Sequence, residues 1–508
     1  MANASEKHNP ESQQQDDLSV QVILGSSWEF ANRAGYHIIT LLKVLILARL
    51  LAPEDFGLFG IILLVMEGLR AFSHTGFKRA LIQQKEDIQP YLNTAWTIEL
   101  LRGLVLGALL FLCAPLIAAF FAEARAVPLM RVMAISVVLR GTRNIGIVYF
   151  RKELEIRKRF LYRTGSNIVG LIVSVIIAYE FRSVWALVWG AVSKMGTRMV
   201  LSYGLHPYRP WPELSRKAAS EMFSFGRWVL GSSMLRFLLR FGDDAVVGRI
   251  LGSASLGFYQ MAWRIANLPA TQIGHVVQTV TFPAYSKLQD DMERLRKYVL
   301  HTVHLSSVIV FPMSVGLFLV APEAVALVLG NKWLPMVPAL QVLTIFGAIR
   351  ALAFGPVFHA TGNPQIVTKV FCVKVLLRLS IIIPLAYVTG LFGVSLGVLG
   401  SCILVQIGSA ILALRLTGIS TKTFAQVLRP AVFATMIMTA GVELISYLFR
   451  STQLGGVPAL ALMVCTGFIL YCSAAWLQDR EFLREILART YNVLWKGGKL
   501  KGESTPAS

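Results

Sequence analysis

Ionisable side chains that interrupt apolar runs are the residues with chemistry to offer in this chain. On the first expected helix Arg33, Tyr36, Thr40 and Lys43 recur at i+3/i+4 spacing and so share one face. Two hundred positions later Ser233, Arg236, Arg240 and Asp243 repeat that polar stripe. Glu67, Arg70 and His74 mark the second helix, Glu99 and Arg102 the third, and Arg140 and Arg143 the fourth. The eighth carries Arg264, Asn267, Thr271, His275 and Gln278 on one face, and the tenth carries Arg350. A charge at bilayer depth is costly, so such residues face a bundle interior or a watery cavity, or pair with one another. Cations outnumber acids, which suits a cavity for a phosphate or pyrophosphate held by charge-assisted hydrogen bonds. Arg33, Lys43, Arg70, Arg140, Arg236, Arg240, Arg264 and Arg350 are therefore the candidate substrate-binding set. Asp243 and Asp244 stand beside Arg240; either they are neutralised by it, or one holds a coupling proton or sodium ion. Arg49, Arg249, Lys78 and Arg79 fall near helix ends, where snorkelling or pairing accounts for them. Trp185, Trp189 and Trp333 read as interfacial belt residues.

The elements that must position these residues follow from composition. The chain has 508 residues, 55% hydrophobic and 15% charged, with a mean hydropathy of +0.60. That excludes a soluble globular protein and points to an all-α integral membrane protein with about 14 spans of about 20 residues each. The expected organisation is a polar tail at 1–20, a first six-helix lobe at 21–205 and a proline-rich linker at 206–222. A second six-helix lobe at 223–416, two further helices at 417–477 and a basic amphipathic tail at 478–508 complete it. Within the second lobe, spans are expected at 223–248, 365–388 and 391–414. The two lobes are expected to be pseudo-symmetric, because Trp28, Arg49, Leu51 and Gly57 return as Trp228, Arg249, Leu251 and Gly257. The net charge of +21 sits mostly in alternate connectors, as positive-inside loops require, so no nucleic-acid partner is implied. Both termini are then expected in the cytoplasm. Five cysteines inside apolar runs imply neither disulfides nor a metal site, and no nucleotide loop, zinc motif or nucleophile elbow is present. No enzyme activity and no cofactor are expected.

At the repeat, A-R-L-L-A-P-E-D-F-G-L-F (48–59), the segment from Asp243 to Pro269 containing G-F-Y-Q-M-A, and T-F-P-A-Y-S-K-L (281–288) resemble the polysaccharide-exporter flippases. These belong to the multidrug/oligosaccharidyl-lipid/polysaccharide superfamily, and the likeness is to colanic-acid or exopolysaccharide translocases. The resemblance covers about residues 20–480. It implies two lobes around a central cavity, in the bacterial inner membrane. The cargo it implies is an undecaprenyl-pyrophosphate-linked oligosaccharide, moved between leaflets by alternating access, with polysaccharide polymerase and co-polymerase as further partners. Related lipid II flippases use cavity arginines on the first, second and eighth helices, which by position are Lys43, Arg70 and Arg264 here. Val44 replaces the acid that follows the first of these, while Asp244 occupies the equivalent place in the second repeat. Both departures argue against the lipid II branch. A multidrug cation extruder and a non-transporting assembly scaffold stay open as alternatives.

Overall fold

A computed structural model describes residues 38–73, 88–153, 155–271, 291–452 and 456–482, together with a few isolated positions. Arg33, Tyr36, His74, Lys78, Arg79, His275 and Gln278 lie outside the described residues, as does most of the basic tail. The described regular structure is helical throughout. Among those residues seven helices are long and apolar enough to cross a bilayer by length and composition. The helix Gln89–Phe120 shows why lipid is the solvent: only 28% of its apolar window is buried. Val105, Leu112 and Leu116 on it point outward. Apolar skin of this extent is what a hydrocarbon environment selects.

The chain divides into two compact units. The first runs to Gln260 and adds residues 328–333 and 383–394. It holds α1 (residues 38–50), α2 (Pro53–Phe72), α3 (Gln89–Phe120) and α4 (Ala126–Gly141). After these come α5 (Ile156–Phe181), α6 (Trp185–Leu205), α7 (Arg216–Ile250) and the start of α8 (Gly252–Ala266). Pro53 opens α2 at a position that needs no N–H, and Asp55 accepts the Ala52 N–H at 3.1 Å. Glu54 and Asp55 in that first turn complement the helix dipole.

Small residues then let helices approach backbone to backbone. On α3 and α4, Gly103 lies against Gly141; a Cβ on Gly103 would meet the Gly141 Cα at 3.0 Å. On α5 and α6, Gly190 faces Ser174, and the Lys194 stem covers Gly170. The crossing of α2 with α8 is reciprocal. A Cβ on Gly57 would fall 1.6 Å from the Ser253 carbonyl oxygen, and one on Gly257 would fall 2.0 Å from the Pro53 carbonyl oxygen. Each glycine thus meets the residue that is its partner's neighbour displaced by 200, as a local two-fold relation between the repeats requires.

Trp333 corrects an expectation. Rather than joining an interfacial belt it is fully buried. Its indole N–H donates to the Ala48 carbonyl at 2.9 Å, and its ring meets Phe56 edge-on at 5.3 Å. Lys332 donates to the Arg49 and Leu51 carbonyls at 2.9 and 2.7 Å. The last turn of α1 leaves carbonyls without helical partners, and this segment supplies their donors.

The proline-rich segment is also more ordered than a free linker. Residues 206–215 run without regular secondary structure beside the start of α3. Tyr208 donates its hydroxyl to Asn93, and the N–H groups of Trp211, Glu213 and Ser215 reach Asn93, Thr97 and Thr94 at 3.2, 2.9 and 3.1 Å. His206 stacks on Tyr149 at 5.5 Å and accepts the Tyr208 N–H. α7 begins at Arg216, earlier than the 223 expected, because no helix breaker follows Pro212.

The second unit contains the rest of α8, α9 (Met292–Leu319), α10 (Val337–Arg350) and most of α11 (Pro364–Thr417), with α12 (Thr421–Thr452) and α13 (Val457–Gln478). Asp291 caps α9 by accepting the Arg294 N–H at 3.0 Å. α11 is too long for one span; Gly390, with φ +61°, breaks it between the segments expected at 365–388 and 391–414. α12 and α13 pack through Gly441 under Leu470 and Gly467 under Val442.

Candidate functional site

The first unit gathers cations on five helices. Arg70 sits on the last turn of α2 and pairs with Glu67 one turn earlier. On α3 Arg102 pairs with Glu99 at 3.0 Å and donates to the Ser73 carbonyl at 3.0 Å. Arg140 closes α4. These five side chains form the polar wall of a cavity of about 70 Å³, room for a few waters or a small oxyanion. The charged groups acting most strongly on Arg140 are Arg143, Arg70, Glu67 and Arg198. Those acting on Lys194 are Arg198, Lys43 and Arg140, every one a cation.

Like charges gathered in a partly desolvated lobe repel one another. A lobe that holds them together must fix each one independently. Arg143 does this through the Arg140 carbonyl at 3.0 Å and the Tyr162 hydroxyl at 3.1 Å. Arg198 donates to Ser166 at 3.1 Å and lies 6.0 Å from the Tyr162 ring. Arrangements that oppose local electrostatics are where function is expected, and a bound anion removes the opposition.

Of the sequence candidates, Lys43, Arg70 and Arg140 are drawn into this one electrostatic group. Arg236 and Arg240 stand on the exposed side of α7; Arg236 donates to Ser233 at 3.1 Å, and Arg240 lies 5.3 Å from the Phe241 ring. Asp243 and Asp244 are buried. Asp243 accepts the Tyr259 hydroxyl at 2.7 Å, and Asp244 accepts the Gln260 amide at 2.9 Å. In the first repeat the same four places are Lys43, Val44, Phe59 and Gly60, so this polar quartet belongs to the second copy alone. Within the second unit Arg264 is exposed on α8, while Arg350 at the end of α10 donates to Asn267 at 2.9 Å. Arg33 falls outside the described residues.

Three positions escaped the sequence reading. Lys194 and Arg198 sit on α6, read as one more apolar span; their i+4 spacing behind Gly190 was the available signal. In the second unit Arg378 is 4% exposed, with its guanidinium 5.6 Å from the Phe346 ring and 5.9 Å from the Trp263 ring. Among the described residues no group of His, Cys, Asp and Glu is arranged to hold a metal.

Helices of this length, apolar on their outer faces and cationic within, define a multi-span membrane transporter fold. The lipid II flippase MurJ in an inward closed conformation superposes with a TM-score of 0.68 at 15% identity, over 92% of this chain and 100% of that one. An inward-facing multidrug resistance MATE transporter of the MOP superfamily gives 0.58 at 17%, over 75% and 96%. At those identities the likeness is one of fold. Residues 46–338 match the model of the polysaccharide biosynthesis protein family, and the chain belongs to that family. It is 27% identical over 400 residues to the lipopolysaccharide biosynthesis protein WzxC of Escherichia coli K12, covering 78% of this chain and 80% of that one. It is 25% identical over 353 residues to the teichuronic acid biosynthesis protein TuaB of Bacillus subtilis, covering 69% and 73%. It is 26% identical over 321 residues to the succinoglycan biosynthesis transport protein ExoT of Rhizobium meliloti, covering 63% and 64%.

Proposed function

We propose that this protein is a flippase that carries undecaprenyl-pyrophosphate-linked oligosaccharide units across the bacterial inner membrane for extracellular polysaccharide synthesis. The observation that carries the reading is the group of like charges on α1, α2, α4 and α6, held half-buried in a lobe that otherwise faces lipid. A pyrophosphate is acceptor-only and dianionic or more, so it satisfies guanidinium forks bidentately and relieves their repulsion. Lys43, Arg70 and Arg140 are assigned to it. Several dispersed cations bind less tightly than one closed clamp, which favours release on the far side. The polyprenyl tail stays in hydrocarbon throughout.

Alternating access needs a driving force, and the buried pair Asp243 and Asp244 is assigned to it. Their adjacency and burial, at 1% and 9% exposure, are what a site for a coupling ion requires. Arg33, Arg236, Arg240, Arg264 and Arg350 are assigned to substrate binding as well. Both termini are placed in the cytoplasm by the charge of the connectors, and polymerase and co-polymerase are the expected downstream partners. The test is polymer export by the Arg70→Gln/Arg140→Gln double variant in a strain lacking the native gene. Loss of export at unchanged membrane abundance supports the assignment; wild-type export removes it.

A further inference from the structure

We infer that the outward face of α12 in the second unit is a docking surface for a transmembrane helix of another membrane protein, one that presents a lysine or arginine at the depth of Glu443. Such a surface is independent of the cargo and of the route the cargo takes.

α12 has two faces. On one, Ala434, Met438 and Val442 are buried with Met463 and Tyr471 of α13, and Val315 of α9 packs against them. On the other, Phe433, Met436, Ala440, Glu443 and Tyr447 are exposed, at successive spacings of three, four, three and four residues. That is the heptad seam along which one helix receives another, and here no element of this chain covers it. Ala440 at its centre lets a second backbone come close.

Glu443 makes this face more than a stripe for lipid. Arg429 and Arg450 bracket the apolar part of α12, and the helix between them is about 31 Å long, close to the thickness of a hydrocarbon core. Glu443 then stands about 10 Å inside the nearer boundary. Glu54, Glu180 and Glu293 are exposed too, but each lies in the first or last turn of its helix, within reach of water. No Lys, Arg or His lies within a turn of Glu443, and no ion pair joins it to another described residue. A carboxylate at that depth is costly in lipid, and acids inside spans ordinarily face a bundle interior or a cavity. This one faces out, so the interior it requires is completed by another chain.

Charge selects the occupant. Lysine or arginine on a neighbouring helix meets the carboxylate in a charge-assisted hydrogen bond. A second copy of this chain is the wrong partner, because a two-fold axis on the seam would set Glu443 against Glu443. Lipid headgroups lie about 10 Å away along the helix.

The test is site-specific photo-cross-linking of the full-length chain in the membrane of its source cells. The photoreactive residue replaces Met436 or Tyr447 and, as control, Phe468 on the exposed side of α13. One membrane protein should be captured from both α12 positions and not from Phe468, through a span that carries a lysine or arginine. Glu443→Leu should cut the yield about tenfold, equivalent to about 1.4 kcal/mol, at unchanged abundance and thermal midpoint. Glu443→Gln, which keeps the shape without the charge, should lose most of it. Glu443→Lys should abolish capture, and exchanging the partner's cation for glutamate should restore it. A yield unmoved by Glu443→Leu or by Glu443→Gln overturns the assignment, as does failure of the charge exchange. Capture of a second copy alone, of lipid alone, or of a partner whose span holds no cation overturns it as well.

Discussion

The reciprocal glycine contact is the sharpest mechanical consequence of the internal repeat. Gly57→Ala would place a methyl 1.6 Å from the Ser253 carbonyl oxygen, and Gly257→Ala would place one 2.0 Å from the Pro53 carbonyl oxygen. Ordinary contact begins at about 3.4 Å, and both obstacles are backbone, so α2 and α8 must separate by well over ~1 Å. Overpacking of that kind costs about 1–3 kcal/mol, or more where backbone must move. Alanine returns about 1 kcal/mol through helix propensity. Because both obstacles are backbone the upper end of that cost applies, and the net is a loss of about 2 kcal/mol or more in either variant, visible as a lower thermal midpoint of the detergent-purified protein. Because one substitution already parts the helices, the double variant should cost clearly less than the sum of the two. Gly204→Ala on α6 is the control, since its Cβ would meet nothing within 4 Å; it should melt at or slightly above wild type. If Gly57→Ala and Gly257→Ala melt with that control, or if their effects simply add, the reciprocal crossing is wrong.

Further outcomes follow from the same contacts. Trp333→Phe leaves the buried Ala48 carbonyl without its donor and should lose about 1–3 kcal/mol, read as a lower thermal midpoint than a surface Trp211→Phe control. Asn93→Ala removes the partner of the Tyr208 hydroxyl, the Trp211 N–H and the Glu213 carboxylate. At about 1 kcal/mol each it should free the 206–215 segment, seen as faster chymotryptic cleavage after Tyr208. Burial holds the His206 imidazole below its ordinary 6.5, so the folded chain favours the neutral ring that accepts the Tyr208 N–H. The unfolded chain binds the extra proton first; this contribution is whole above pH 6.5 and is lost as pH falls through the lowered value. Hydrogen exchange of 206–215, corrected for intrinsic rate, should therefore accelerate toward pH 5, and His206→Gln should flatten that dependence.

Much of the architecture was written in residue spacing, and its failures have local causes. Gly57 and Gly257, met first as a repeat at 200 positions, turned out to be the two faces of one crossing. The break between 388 and 391 was legible because Gly390 is the residue that can take a positive φ there. Lys194 and Arg198 were not legible: a hydropathy reading averages them into the apolar mass of α6, and only the ladder against α5 shows what they face. Trp333 misled for a related reason. Its place near a span end is what an interfacial tryptophan shows, whereas the Ala48 carbonyl that it satisfies is 285 residues away in the chain. The prolines of 206–215 signalled the end of a helix correctly but not the docking, which depends on side chains of α3 more than a hundred residues earlier.

The central claim is tested most directly by the leaflet distribution of undecaprenyl-linked repeat units in a strain lacking this protein and any redundant exporter. The account predicts accumulation on the cytoplasmic side, reversed by re-expression of wild type and not by the Arg70→Gln/Arg140→Gln variant. Normal delivery to the periplasmic side in the deletion strain would contradict it.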